Sequence, residues 1–107
     1  MPEIIKSYHT ENNIKTAVLS IDESFVTLEK FNFLKNVVSD EMSSGVNSFV
    51  FDMNNLDTIN SSGLGILISC LKKIKESNGS LTITNANEKI KGIFKLTKLD
   101  NVFEISS

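Results

Sequence analysis

Tryptophan is absent, and proline, cysteine and histidine each occur once, as Pro2, Cys70 and His9. These scarcities exclude several kinds of chemistry. One cysteine cannot close an intramolecular disulfide, so nothing points to a secreted, stapled fold, and the chain suits a reducing compartment. One His and one Cys cannot supply a zinc site with its ordinary ligands. His9 stands in a polar N-terminal stretch and reads as an exposed strand residue, so no base is paired with a nucleophile. A G-x-S-x-G elbow is missing. Gly63-Leu64-Gly65 lacks the third glycine of a dinucleotide fingerprint, and no glycine loop runs into Lys-Ser or Lys-Thr as a P-loop would. Asp22, Glu23, Asp52 and Asp57 are scattered acids at strand ends, which read as solvated rather than as a cation site.

A basic excess is also lacking. The formal net charge is −2, and no basic stripe is available to neutralise a phosphate backbone, so nucleic acid is not an expected partner. The longest apolar stretch, Leu64 to Leu71, contains Gly65 and Ser69 and falls well short of the roughly 20 residues needed to span a bilayer. Met1-Pro2-Glu3-Ile4-Ile5-Lys6 has no basic segment leading into a long apolar run, so no signal peptide is expected. These features predict a cytoplasmic, non-enzymatic protein with no cofactor, no metal and no membrane insertion.

What remains is the composition of a globular domain. The chain has 107 residues, 40% hydrophobic and 22% charged, which predicts a single domain over 1–107 with an aliphatic core supplemented by seven Phe. Strand and helix signals alternate. Ile4 to Thr10 reads as a strand, Glu11-Asn12-Asn13 as a turn, and Ile14 to Ile21 as a half-buried strand with Ala17, Leu19 and Ile21 on one face. Leu28, Phe31, Leu34, Val38 and Met42 form one apolar stripe, predicting a helix over Thr27 to Ser43 with Ser24 or Thr27 as cap and Gly45 just past its end. Ser48 to Met53 suits a buried central strand, and Asn54-Asn55 a turn. A second, largely buried helix is expected from Ser62 to Ser77, stopped by Asn78-Gly79. Ser80 to Thr84 alternates as a strand. Asn85 and Glu88 resemble a capping box for a short helix carrying Ile90, Ile93, Phe94 and Leu96, and Val102 to Ile105 reads as an edge segment. The order ββαβαβα, with a possible closing strand, predicts an α/β fold: a mixed or parallel sheet of four to five strands with helices packed on it. In such sheets, binding surfaces form where strands give way to helices.

One dense constellation stands at such a junction: Asp57-Thr58-Ile59-Asn60-Ser61-Ser62-Gly63-Leu64-Gly65. As isolated residues, the serines read as helix caps and the glycines as points of close helix–sheet packing. The same geometry serves a switch. A hydroxyl exposed at a helix N-terminus is an accessible phosphate acceptor, and the free N–H groups and positive dipole end stabilise the added anion. On the residues alone either serine could be cap or acceptor. A dianion in place of a neutral hydroxyl would expel a docked partner without unfolding the domain.

At these residues the chain resembles a STAS domain, and specifically the bacterial anti-sigma factor antagonists. Their pattern is a strand ending in an acid, a short turn, then Asp-Ser-Ser/Thr-Gly-Leu-Gly opening an apolar helix. Here Phe49-Val50-Phe51-Asp52 leads through Leu56 and Ile59 into Asn60-Ser61-Ser62-Gly63-Leu64-Gly65. The Lys-rich end of the following helix, Asn78-Gly79 and a third helix within Asn87 to Leu96 also fit. The resemblance implies a partner-switching protein. The unmodified form would bind an anti-sigma factor that is also a Ser/Thr kinase and so free a sigma factor; phosphorylation of Ser61 would end binding, and a PP2C-type phosphatase would reset it. With Ser61 implied as the acceptor, Ser62 is left as the cap. Asp22, Glu23, Asp57, Asn60, Ser61, Ser62, Gly63 and Leu64 are the expected partner-binding residues, on a monomer or weak dimer. Two positions depart from the pattern. Asn60 replaces the Asp before the serine, and Ser20-Ile21-Asp22-Glu23 only loosely matches the family's Gly-plus-acid stretch. Loss of charge at Asn60 leaves a second reading open: a constitutive STAS scaffold subunit of a larger signalling or lipid-transport assembly. Direct binding of a nucleotide or small ligand at the helix N-terminus is a third.

Overall fold

A computed structural model of the chain describes residues 5–22, 28–101 and 104–106. Strands β1 (Ile5–Glu11) and β2 (Ile14–Asp22) form an antiparallel hairpin in which Glu11 faces Ile14. Its two-residue turn places Asn12 and Asn13 at φ 54° and 67°, the left-handed backbone that matches strand twist and that Asn tolerates. From β2 onward the strands run parallel. Helix α1 (Leu28–Ser43) leads to β3 (Ser48–Asn55), α2 (Ser61–Glu76) to β4 (Ser80–Thr84), and α3 (Glu88–Leu96) with a 3₁₀ turn (Leu99–Asn101) to β5 (Glu104–Ser106).

The sheet order is β1-β2-β3-β4-β5. Each crossover advances one strand in the same direction, so right-handed connections put all three helices on one face. Burial agrees. Ala17, Leu19, Ile21, Phe49, Phe51, Met53, Leu81 and Ile83 are buried under the helices, whereas the alternating Thr16, Val18, Ser20, Val50, Asp52, Thr82 and Thr84 are half-buried on the open face. The helices contribute Leu34, Val38, Leu67, Cys70, Ile74, Ile90 and Phe94 to the same core. Burial pushes the Cys70 thiol up to about 12, so it stays protonated and packs as a small hydrophobe.

Several element ends differ from the sequence expectation. The Leu28 and Phe31 side chains and the caps Ser24 and Thr27 lie outside the described residues. At the other end of α1, Gly45 adopts φ 97° while Val46 N donates to Glu41 O and Gly45 N to Met42 O, a Schellman stop. Asn54-Asn55 both end β3 and form the expected turn: Asn55 pairs with Asp22 beyond a register shift in β2, and Leu56 N donates to Met53 O at 3.1 Å across the two residues. Asn87, not Asn85, caps α3, because its Oδ1 accepts from Ile90 N at 2.8 Å; no Asn85–Glu88 box forms. Asn85 instead sits at φ 59° in the preceding bend. Leu96 is 85% exposed, since six residues past Ile90 falls about 120° around the helix, off its buried face.

Candidate partner-binding site

The loop over 56–60 joins the C-terminal end of β3 to α2. Leu56 and Ile59 point inward and are 2% and 6% exposed, which leaves Asp57 and Thr58 facing solvent. The loop is fastened from outside as well. Asn87 Nδ2 donates to the carbonyl of Asp57 at 2.9 Å and reaches that of Leu56 at 3.4 Å, and Lys89 Nζ lies 3.2 Å from Asp57 Oδ2. One side chain, Asn87, therefore caps α3 and holds the loop that precedes Ser61.

Asn60 ends the loop in extended backbone (φ −96°, ψ 175°) and caps α2: its Oδ1 accepts from Gly63 N at 2.8 Å, and its carbonyl accepts from Leu64 N at 3.0 Å. This corrects the expectation that Ser62 is the cap. A cap needs extended backbone and an acceptor aimed at the N–H three residues on, and Asn60 meets both conditions while Ser62 already lies within the first helical turn. Ser61 is the first helical residue, and both serines are exposed. The first turn of α2 contains no acidic side chain. Gly63 is buried and Leu64 is half-buried against the core. Gly65 is exposed, and a Cβ there would meet nothing within 4 Å, so the expected close packing does not apply to it.

Asp22 lies at the same end of the sheet, half-buried at the C-terminal end of β2 opposite Asn55. Glu23 lies outside the described residues. Asp22, Asp57 and Asn60 through Leu64 are thus gathered at one end of the domain. Asp52 joins them, with its Oδ1 accepting from Asn54 N and from Asn85 Nδ2, each at 3.0 Å. Sequence reasoning missed Asn85, Asn87 and Lys89, about thirty positions from the groups they hold. The only local signal was Asn87 standing three residues before Ile90, and that reports the cap rather than the cross-loop bonds. Among the described residues, no cluster of three or more His, Cys, Asp or Glu is placed to hold a metal ion.

The model of the STAS domain matches residues 6–107. This chain belongs to the STAS domain family. A Thermotoga maritima protein named as a candidate anti-sigma factor antagonist is 27% identical over 93 residues, covering 86% of this STAS domain and 82% of that protein. The solution structure of the Thermotoga protein TM1081 superposes with a TM-score of 0.82 at 24% identity, over 100% of this chain and 84% of that one. The unphosphorylated anti-sigma factor antagonist SpoIIAA gives a TM-score of 0.75 at 12% identity, over 96% of this chain and 89% of that one. The Bacillus protein SpoIIAA has also been solved in its phosphorylated form. The two structural likenesses establish the STAS fold for this chain. Among its described residues, no helix is long and apolar enough to cross a membrane.

Proposed function

We propose that this STAS domain is an anti-sigma factor antagonist: unphosphorylated, it binds an anti-sigma factor with Ser/Thr kinase activity, and phosphorylation of Ser61 releases it. The observation that carries this reading is the setting of Ser61. It is exposed at the first position of a capped helix, directly after a fastened loop, with no acidic side chain in the first turn. An added phosphate brings roughly −1.5 to −2 charge to a dipole end that favours anions, so the modified domain remains folded while its surface changes. The docking surface we assign comprises Asp22, Asp57, Asn60, Ser62, Gly63 and Leu64 around Ser61, and the sequence adds Glu23, which lies outside the described residues. The chain is substrate and ligand in this scheme; ATP belongs to the kinase, and a PP2C-type phosphatase restores the hydroxyl.

Asn60 caps the helix as an Asp would. The amide oxygen makes the cap bond that a carboxylate would make, and it adds no negative charge beside a phosphorylated Ser61. The relatives support the reading by name, and SpoIIAA by existing in two phosphorylation states. Affinity capture from the source cell, with wild type and Ser61→Asp as baits, tests it. The expected result is an anti-sigma factor retained by wild type, lost by the variant, and able to phosphorylate Ser61 with ATP. A partner held equally by both baits would instead make the domain a constitutive scaffold.

A further inference from the structure

Helix α2 carries a second surface outside the loop. Ile68 is 41% exposed, whereas Leu67, Cys70, Leu71 and Ile74 of the same helix are buried. With Leu71 and Leu99 of the 3₁₀ turn it floors a groove of about 440 Å³, rimmed by Lys72 and Lys75. Across Lys72 lies a second depression of about 330 Å³, where Lys35 and Lys73 stand with Glu76. Among the described residues none of these four lysines is in an ion pair, whereas Lys6, Lys89 and Lys91 each meet a carboxylate. On a chain of net charge −2, this is a local cationic patch around an apolar floor.

That pairing favours one occupant. A second copy would bring its own lysines against these, and a flat anionic surface would leave the depression unfilled. An amphipathic helix with acidic flanks meets both demands. We propose that the groove docks an acidic amphipathic helix of a partner protein, with an apolar side chain against Ile68, Leu71 and Leu99 and carboxylates facing Lys72 and Lys75. Ile68 follows Ser61 by two helical turns, about 10 Å along the same face of α2. The groove therefore continues the surface around Ser61 and gives one partner a second foothold. It does not depend on phosphorylation and is tested on the unmodified chain.

The probe is a fluorescent helical peptide of about 18 residues, five turns, with Leu on one face and Glu elsewhere. Anisotropy should show saturable binding that weakens as salt rises to about 0.15 M. Ile68→Asp and the double variant Lys72→Glu/Lys75→Glu should each weaken it at least about tenfold with unchanged melting temperature. If Ile68→Asp fails to fold, the lysine variant decides. A peptide with Lys in place of Glu should bind the charge-reversed variant better than wild type. Four results would overturn the proposal: no binding, equal binding of both peptides to wild type, binding only to phosphatidylglycerol vesicles, or self-association lost in Ile68→Asp. None of them bears on Ser61, whose reading stands or falls on its own variant.

Discussion

Asn60 is the residue on which the site depends for its shape. Its side chain removes one orphan donor at the start of α2, so Asn60→Ala should cost about 1 kcal/mol in urea unfolding. Asn60→Asp keeps the acceptor and should leave stability within about 0.5 kcal/mol of wild type or raise it slightly through the dipole. Ser62→Ala should be nearly neutral, within about 0.5 kcal/mol, because Ser62 is not the cap. A cost at Ser62 equal to that at Asn60 would contradict the assignment.

A second residue, Glu41, contributes to the response to acid. It is buried on α1, where it accepts from Tyr8 Oη at 2.8 Å and Lys6 Nζ at 3.2 Å. Burial alone would raise its carboxyl. The hydrogen bonds from Tyr8 and Lys6, with the charges of Lys6 and Lys15, outweigh burial and hold it below the usual 4.5. Its folded value is depressed, so the stability it contributes is fully present above the unfolded value and is lost as pH falls through the folded one. Denaturation midpoints should therefore drop below about pH 4.5, and Glu41→Gln should flatten that part of the profile. An unchanged profile in the variant would assign the acid response elsewhere.

At the scale of elements, two glycines separate backbone need from sequence habit. A Cβ on Gly79 would run into the carbonyl oxygen of Asn47 and lie 2.7 Å from Ile74 Cγ2. Gly79→Ala should therefore destabilise by about 1–3 kcal/mol through overpacking. Gly65 faces open space in mid-helix, so Gly65→Ala should stabilise by up to about 1 kcal/mol in the same unfolding measurement. The sequence distinguishes neither case, since both glycines follow turn or motif residues. Period-2 alternation in Ile14–Ile21 and three–four spacing in α1 and α2 located their elements well, because one buried face imposes those periods. Ends were less legible. Asn54-Asn55 forms the turn its composition suggests while Asn55 still pairs with β2, and Asn85 and Asn87 compete for one cap that only the finished bend decides. The contacts of Asn87 and Lys89 with the Ser61 loop depend on two crossovers meeting at one sheet end, which no local pattern records.

At the scale of the molecule, the monotonic strand order sends every helix to one face and brings every strand-to-helix junction to one end. Ser61, Asp22, Asp52 and Asp57 meet there, while the lysines with no ion pair among the described residues gather farther along α2 and on α1. In the two readings proposed above, one partner meets two chemically different footholds, a neutral hydroxyl at a helix N-terminus and a basic, apolar groove. Phosphorylation alters the first and leaves the core untouched, so phosphorylated and unmodified protein should melt within a few degrees of each other by calorimetry. A large loss of thermal stability on modification would mean that release works by unfolding.

The central claim concerns Ser61, and the most direct measurement is the affinity of the captured anti-sigma factor for three forms: unmodified, enzymatically phosphorylated and Ser61→Ala. Unmodified protein and Ser61→Ala should bind within a few-fold of each other, and the phosphorylated form at least about a hundredfold, or ~2.7 kcal/mol, more weakly. Equal affinity of the phosphorylated and unmodified forms would contradict the switch.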